Sequence, residues 1–141
     1  MPDAKSILLI EDSDIVRNYY ADHLKLRSPY YVILEAATGR TGLDLYQSRK
    51  IDCVILDLSL PDVSGFEVLA KLVPIASQPL VPVVVLTSLS SGALLDVAKR
   101  NGAFAALQKD LTSGDDLEKV VLNAMEAIPV NGKRPVRTAL P

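Results

Sequence analysis

Apolar residues in this chain fall into five short runs, and between the runs the apolar positions recur three and four residues apart. A continuous apolar run of four or five residues is the pattern of a strand covered on both faces, whereas the wider spacing is that of an amphipathic helix. Ser6 to Ile10 runs into Glu11 and Asp12, Tyr31 to Leu34 into Glu35, and the run opened by Cys53 ends on Asp57. Val83 to Leu86, the most β-branched run, ends on Thr87 and Ser88, and Phe104 to Leu107 is closed by Lys109. The helical stretches alternate with these runs. Ser13 caps a helix with Ile15, Val16, Tyr19, Tyr20 and Leu24 on one stripe, and Thr38 to Gln47 forms a second, weakened by Gly39 and Gly42. Ser64 and Glu67 fit a capping box opening a third, which stops near Val73 because Pro74 disfavours helix at and before its own position. Gln78 to Pro82 is a loop. Ala93 to Arg100 forms a fourth helix that ends at Asn101 and Gly102. Ser113 to Asp116 starts a fifth, carrying Leu117, Val120, Val121, Ala124, Ala127 and Ile128 at helical spacing.

Five strands alternating with five helices predict an α/β protein: a doubly wound (βα)5 unit with a parallel five-stranded sheet and helices on both faces, over residues 1–128. Residues 129–141, with three prolines, three basic residues and no acid, read as a linker or disordered tail. At 141 residues and 49% hydrophobic content the chain is one domain with an ample core. Its net charge of −2 provides no field to hold nucleic acid or an anionic membrane. The single cysteine, Cys53, excludes an internal disulfide, the start lacks a signal segment, and no apolar run approaches the roughly 20 residues that span a bilayer. The expected location is the cytoplasm. His23 is the only histidine, which disfavours a histidine-based metal centre or a catalytic triad, and Cys53, opening a buried strand, reads as a packing residue.

The polar residues that close the strands all fall on one edge of such a sheet: Glu11 and Asp12 on the first strand, Asp57 on the third, Thr87 on the fourth, Lys109 on the fifth. In a flavodoxin-like strand order, 2-1-3-4-5, the first and third strands flank the crevice where open α/β sheets bind ligands. Three carboxylates then converge. Two carboxylates about 4 Å apart repel by roughly 4 kcal/mol at an effective dielectric of 20, more than one lysine neutralises for three of them. A divalent cation is implied, and an all-oxygen donor set with open positions suits Mg²⁺, with Mn²⁺ as the alternative. Metal, carboxylate nucleophile, hydroxyl and ammonium together describe a phosphoryl-transfer site.

Glu11 and Asp12, Asp57 with Leu60, Pro61 and Gly65, Thr87, Gly102 with Ala103, and Lys109 together resemble the signature of response-regulator receiver domains of two-component signalling. The resemblance spans roughly Lys5 to Ile128. It implies that Asp57 accepts a phosphoryl group from a phosphohistidine on a sensor histidine kinase or histidine phosphotransfer protein, in a signalling domain that assists its own phosphorylation and dephosphorylation. It implies Asp12 and Asp57 as direct metal ligands, Glu11 acting through water, the Ser59 main-chain carbonyl as a further ligand, and Thr87 and Lys109 as partners of the phosphoryl group. Output would pass to a downstream protein or output domain through the surface of the fourth helix, fifth strand and fifth helix, which is also a possible homodimer face.

Two positions depart from the family pattern. Ala106 stands where an aromatic residue is usual, and Asp110 where a proline preceded by a cis peptide is usual. A trans Lys109–Asp110 peptide is predicted, since a cis bond without proline costs about 2.5 to 4 kcal/mol. Phe104 is the nearest ring to position 106 and shares its strand face in a regular strand; the coupling route predicted instead is the Thr87 to Ala93 loop. The alternative function is a receiver-fold module that binds partners without phosphorylation. A haloacid-dehalogenase-like phosphatase is disfavoured, because Ser59 stands where its second aspartate would be.

Overall fold

The computed structural model describes residues 4–89 and 91–130. The elements are β1 (Lys5–Ile10), α1 (Asp14–Arg27), β2 (Tyr31–Ala36), α2 (Gly39–Ser48), β3 (Cys53–Leu56), α3 (Gly65–Leu72), β4 (Val83–Thr87), α4 (Gly92–Arg100), β5 (Ala105–Gln108) and α5 (Gly114–Ala127), with one 3-10 turn, Lys109–Leu111, between the last two. All five strands are parallel, in the order β2-β1-β3-β4-β5. This is the predicted doubly wound α/β sheet.

Alternation along each strand divides the core in two. Leu8 and Ile10 of β1, Val54 and Leu56 of β3, and Val83 and Val85 of β4 pack with Tyr46 of α2, Val68, Leu69 and Leu72 of α3, and Ala98 of α4. Ile7, Leu9, Cys53, Ile55, Val84 and Leu86 point the other way, onto Tyr20, Ala21 and Leu24 of α1 and Leu117, Val121 and Ala124 of α5. β3 and β4 are buried throughout and β1 from Ile7 onward, which is why they read as unbroken apolar runs. Complete burial also pushes the Cys53 thiol pKa well above its ordinary range, as befits a packing residue.

Local differences from the sequence reading have local causes. One glycine of α2 has a packing reason: Gly42 lies against Ile10, whose Cδ1 would be 2.5 Å from an added Cβ. The absent side chain lets α2 close onto β1. At α3 the Ser64 hydroxyl accepts from the Phe66 amide, and no bond from Glu67 back to the cap is formed; the full capping box occurs instead at α5, between Ser113 and Asp116. The fifth strand starts one residue later than predicted and includes Gln108, which pairs with Thr87. Phe104 therefore precedes the strand and packs on the α1/α5 side, whereas Ala106 packs on the opposite side. The face-sharing predicted for these two residues fails because their alternation is broken where the strand begins. No described peptide bond is cis, so Lys109–Asp110 is trans as predicted. Past Ile128, Val130 is buried in the α2–α4 side cluster, and the remainder of the predicted tail lies outside the described residues.

Candidate functional site

The strand ends bring the predicted residues to one mouth. Asp57 is the first residue past β3, and its amide still donates to the Ile10 carbonyl at 3.0 Å, so the third strand ends flush with the first. The Glu11 amide donates to Ala36 at 2.9 Å, carrying β1 one step beyond its last paired residue. Ser13 then turns the chain into α1, its hydroxyl accepting from Val16. Glu11, Asp12 and Asp57 each place a carboxylate oxygen within 4.8 Å of the others. Glu11 and Asp57 are buried, and Asp12 is exposed at the rim.

Each buried carboxylate is anchored by one backbone amide. The Ser13 amide donates to Glu11 Oε2 at 3.0 Å, and the Ser59 amide to Asp57 Oδ1 at 3.1 Å. Lys109 bridges the remaining oxygens, its Nζ 2.6 Å from Glu11 Oε1 and 3.2 Å from Asp57 Oδ2. It thus pairs across the site rather than with neighbouring Asp110. Burial raises the Glu11 pKa and the Asp57 charge adds to the effect, against the hydrogen bonds from Lys109 and Ser13. Burial disfavours the Lys109 ammonium, yet its hydrogen bond to Glu11 and the nearby Asp57 charge outweigh that and raise its pKa. Lys109 is therefore charged, and it offsets one of three negative charges. The remaining excess of negative charge, on hard oxygen donors around an open position, fits a divalent cation of the Mg²⁺ type.

Thr87, fully buried at the end of β4, has its hydroxyl oxygen 3.3 Å from the Leu89 amide, which donates to it. Among the described residues the hydroxyl has no acceptor for its own proton. The loop from Asp57 into α3 closes through a Ser59–Ser64 bridge and the Gly65 amide donating to Leu58 at 3.0 Å. Gly65 is required there: an added Cβ would collide with the Leu58 Cα and lie 2.7 Å from the Asp57 carbonyl oxygen.

Two supporting groups escaped the sequence reading. Arg17 donates to the Glu11 carbonyl at 2.8 Å and pairs with Asp14 and Glu35, fixing the turn that carries the acids. Tyr20 donates to the Thr112 carbonyl at 2.8 Å. Arg17 lies four residues after a helix cap, a spacing that offered a weak cue; nothing in the sequence distinguishes Tyr20 from Tyr19 as the buried hydroxyl. His23, on α1, pairs with Asp115 of α5 at 3.0 Å and not with the site's three carboxylates.

The geometry and the comparisons agree on the class. The sequence model of the response regulator receiver domain matches residues 7–121, and the chain belongs to that family. It is 30% identical over 118 residues to the transcriptional regulatory protein PdtaR of Mycobacterium tuberculosis, covering 84% of this chain and 56% of that protein. To the transcriptional regulatory protein LnrK of Bacillus subtilis it is 34% identical over 116 residues, covering 82% and 51%. A response regulator receiver domain from Clostridium thermocellum superposes with a TM-score of 0.76 at 26% identity, over 87% of this chain and 95% of that one. The chain spans about half the length of these curated relatives. It is a signalling domain of the two-component type, and no helix among the described residues is long and apolar enough to cross a membrane.

Proposed function

We propose that Asp57 is the phosphoacceptor of a two-component relay and that Mg²⁺ or Mn²⁺ is its cofactor. The observation that carries this reading is the meeting of three carboxylates within 4.8 Å with a lysine that bridges two of them, beside a buried threonine hydroxyl. Asp12, Asp57 and the Ser59 carbonyl would hold the metal directly and Glu11 through water. Bound there, the cation would supply charge neutralisation for the incoming phosphoryl oxygens. Asp57 Oδ2, as Lys109 leaves it, attacks phosphorus, the P–N bond of the donor phosphohistidine breaks, and the imidazole nitrogen leaves with the electron pair. Thr87 donates its hydroxyl proton to one phosphoryl oxygen, and Lys109 exchanges its Asp57 contact for another. Hydrolysis returns the site: water attacks phosphorus, the acyl phosphate P–O bond breaks, and carboxylate and inorganic phosphate are released.

The donor is a sensor histidine kinase or a histidine phosphotransfer protein, working in the cytoplasm. To bring a phosphohistidine within reach of Asp57 it must cover the surface beside Lys109, where the exposed Ile15 and Tyr19 border an apolar groove that also includes Lys109 and Asp110. The output, to a downstream protein, an attached domain or a second copy, leaves through α4, β5 and α5. The relay is tested with acetyl phosphate and Mg²⁺. An acid-labile phosphoryl group that maps to Asp57 and is abolished by Asp57→Ala is expected; labelling that survives at another residue overturns the assignment.

A second reading, a module that binds partners without phosphorylation, is favoured by Ala106, which offers no ring to swing between two positions. Against it stands the complete acidic cluster. Leu89 packs against the same cluster as Ala106, and its amide is held by the Thr87 hydroxyl. A shift of Thr87 towards a phosphoryl group therefore pulls on the loop leading to α4, a coupling route that needs no aromatic residue.

A further inference from the structure

Lys109 does its work from a turn that lacks proline and a cis bond, yet its ammonium is held against both Glu11 and Asp57. The turn is closed from within by Thr112, whose hydroxyl donates to the Gln108 carbonyl at 2.7 Å and whose amide donates to Lys109 at 3.3 Å. Gln108 is itself fixed by the ladder to β4. The far end of the turn is fixed by Tyr20, which donates its phenolic proton to the Thr112 carbonyl at 2.8 Å across 92 positions of sequence. Tyr20 is buried among the residues packing α1 and α5 onto the sheet, with its ring edge-on to Tyr19 at a centroid distance of 4.9 Å. A phenylalanine would fill the same space. The hydroxyl is therefore the part of Tyr20 that packing does not call for, and a buried hydroxyl is tolerated because it is bonded.

Resting on the reading of Asp57 as phosphoacceptor, we propose that Tyr20 is a positioning residue for Lys109. Its hydroxyl, through the Thr112 carbonyl, fixes the turn that presents the ammonium to Asp57 and to the phosphoryl group. Helix α1 then serves the site twice, with the acids just before its first turn and a clasp on the opposite loop from its second. Tyr20 reaches the site only through the Lys109 turn, so its removal should not weaken metal binding and should weaken phosphoryl binding.

The test uses Tyr20→Phe in the full chain, with Mg²⁺ alone and then Mg²⁺ plus beryllofluoride as probes. The Mg²⁺-induced thermal shift should be no smaller than that of the wild type, since loosening Lys109 removes a competing positive charge, while beryllofluoride affinity falls about tenfold, the scale of one lost hydrogen bond. In a Lys109→Ala background Tyr20→Phe should produce no further loss, because a residue acting through Lys109 has nothing left to position. Thr112→Val, which cuts the clasp on Gln108, should show the same pattern and serves if Tyr20→Phe folds poorly. A wild-type affinity in Tyr20→Phe, or an equal loss with and without Lys109, overturns the proposal. If the wild type itself neither binds beryllofluoride nor accepts a phosphoryl group, the reading of Asp57 fails first; if it does both and only the Tyr20 variant is neutral, the Tyr20 proposal alone fails.

Discussion

On the β1/β3 side of the site, each buried carboxylate is held by a backbone amide two residues away, Ser13 for Glu11 and Ser59 for Asp57. On the β5 side, Lys109 is held by a turn whose outer anchor is a hydroxyl 92 positions distant. The acid side is thus built from local backbone geometry at adjoining strand ends, and the lysine side from tertiary packing. The metal should therefore be held by the first side, with Lys109 only competing for its charge, whereas the phosphoryl group should need both.

Breaking the acid side through its backbone should have the largest effect. Gly65→Ala puts a methyl group against the Leu58 Cα and the Asp57 carbonyl, and overpacking of this kind is expected to destabilise by about 2 to 3 kcal/mol, read from denaturant midpoints. Mg²⁺ should come next. A tenfold excess over its Kd should stabilise the wild type by about 1.4 kcal/mol, a rise in Tm on the order of 5 °C. Asp12→Asn and Asp57→Asn should remove that rise, Glu11→Gln should reduce it less, and a Tm insensitive to Mg²⁺ would remove the metal site.

The smallest effect lies on the lysine side and concerns alkaline pH. Burial raises the Tyr20 pKa above its ordinary 10.0, so between the unfolded and folded values the native state holds a proton that the unfolded state has lost. The stabilisation is fully present below pH 10 and lost as pH rises through the folded value. Tyr20→Phe should flatten this decline without abolishing it, because Tyr31, also raised by burial, retains its share. An unchanged slope would show that the Tyr20 hydroxyl is not held as described.

The same contrast explains what was legible in the sequence. The inner strands declared themselves because burial on both faces forces unbroken apolar runs, and the site's acids because each ends such a run. Ser13, Ser64 and Ser113 stood out as caps because capping is chemistry within three residues. Tyr20 and Arg17 did not declare their roles, since a hydroxyl aimed at Thr112 and a guanidinium on the Glu11 carbonyl follow from how α1 lies on the sheet. Gly42 was half legible for a similar reason: its low helix propensity is a local property, but its closeness to Ile10 is not.

That Asp57 heads a working switch despite Ala106 is tested most directly by hydrogen exchange with Mg²⁺, in the presence and absence of beryllofluoride. The expected result is a change concentrated across Thr87 to Arg100, where the Thr87 hydroxyl holds the Leu89 amide, and unaltered by Phe104→Ala, since Phe104 packs on the opposite side of the sheet from Ala106. A change confined to Phe104 to Leu107, or erased by Phe104→Ala, would contradict the loop route, and tight beryllofluoride binding with no remote change would contradict the switch itself.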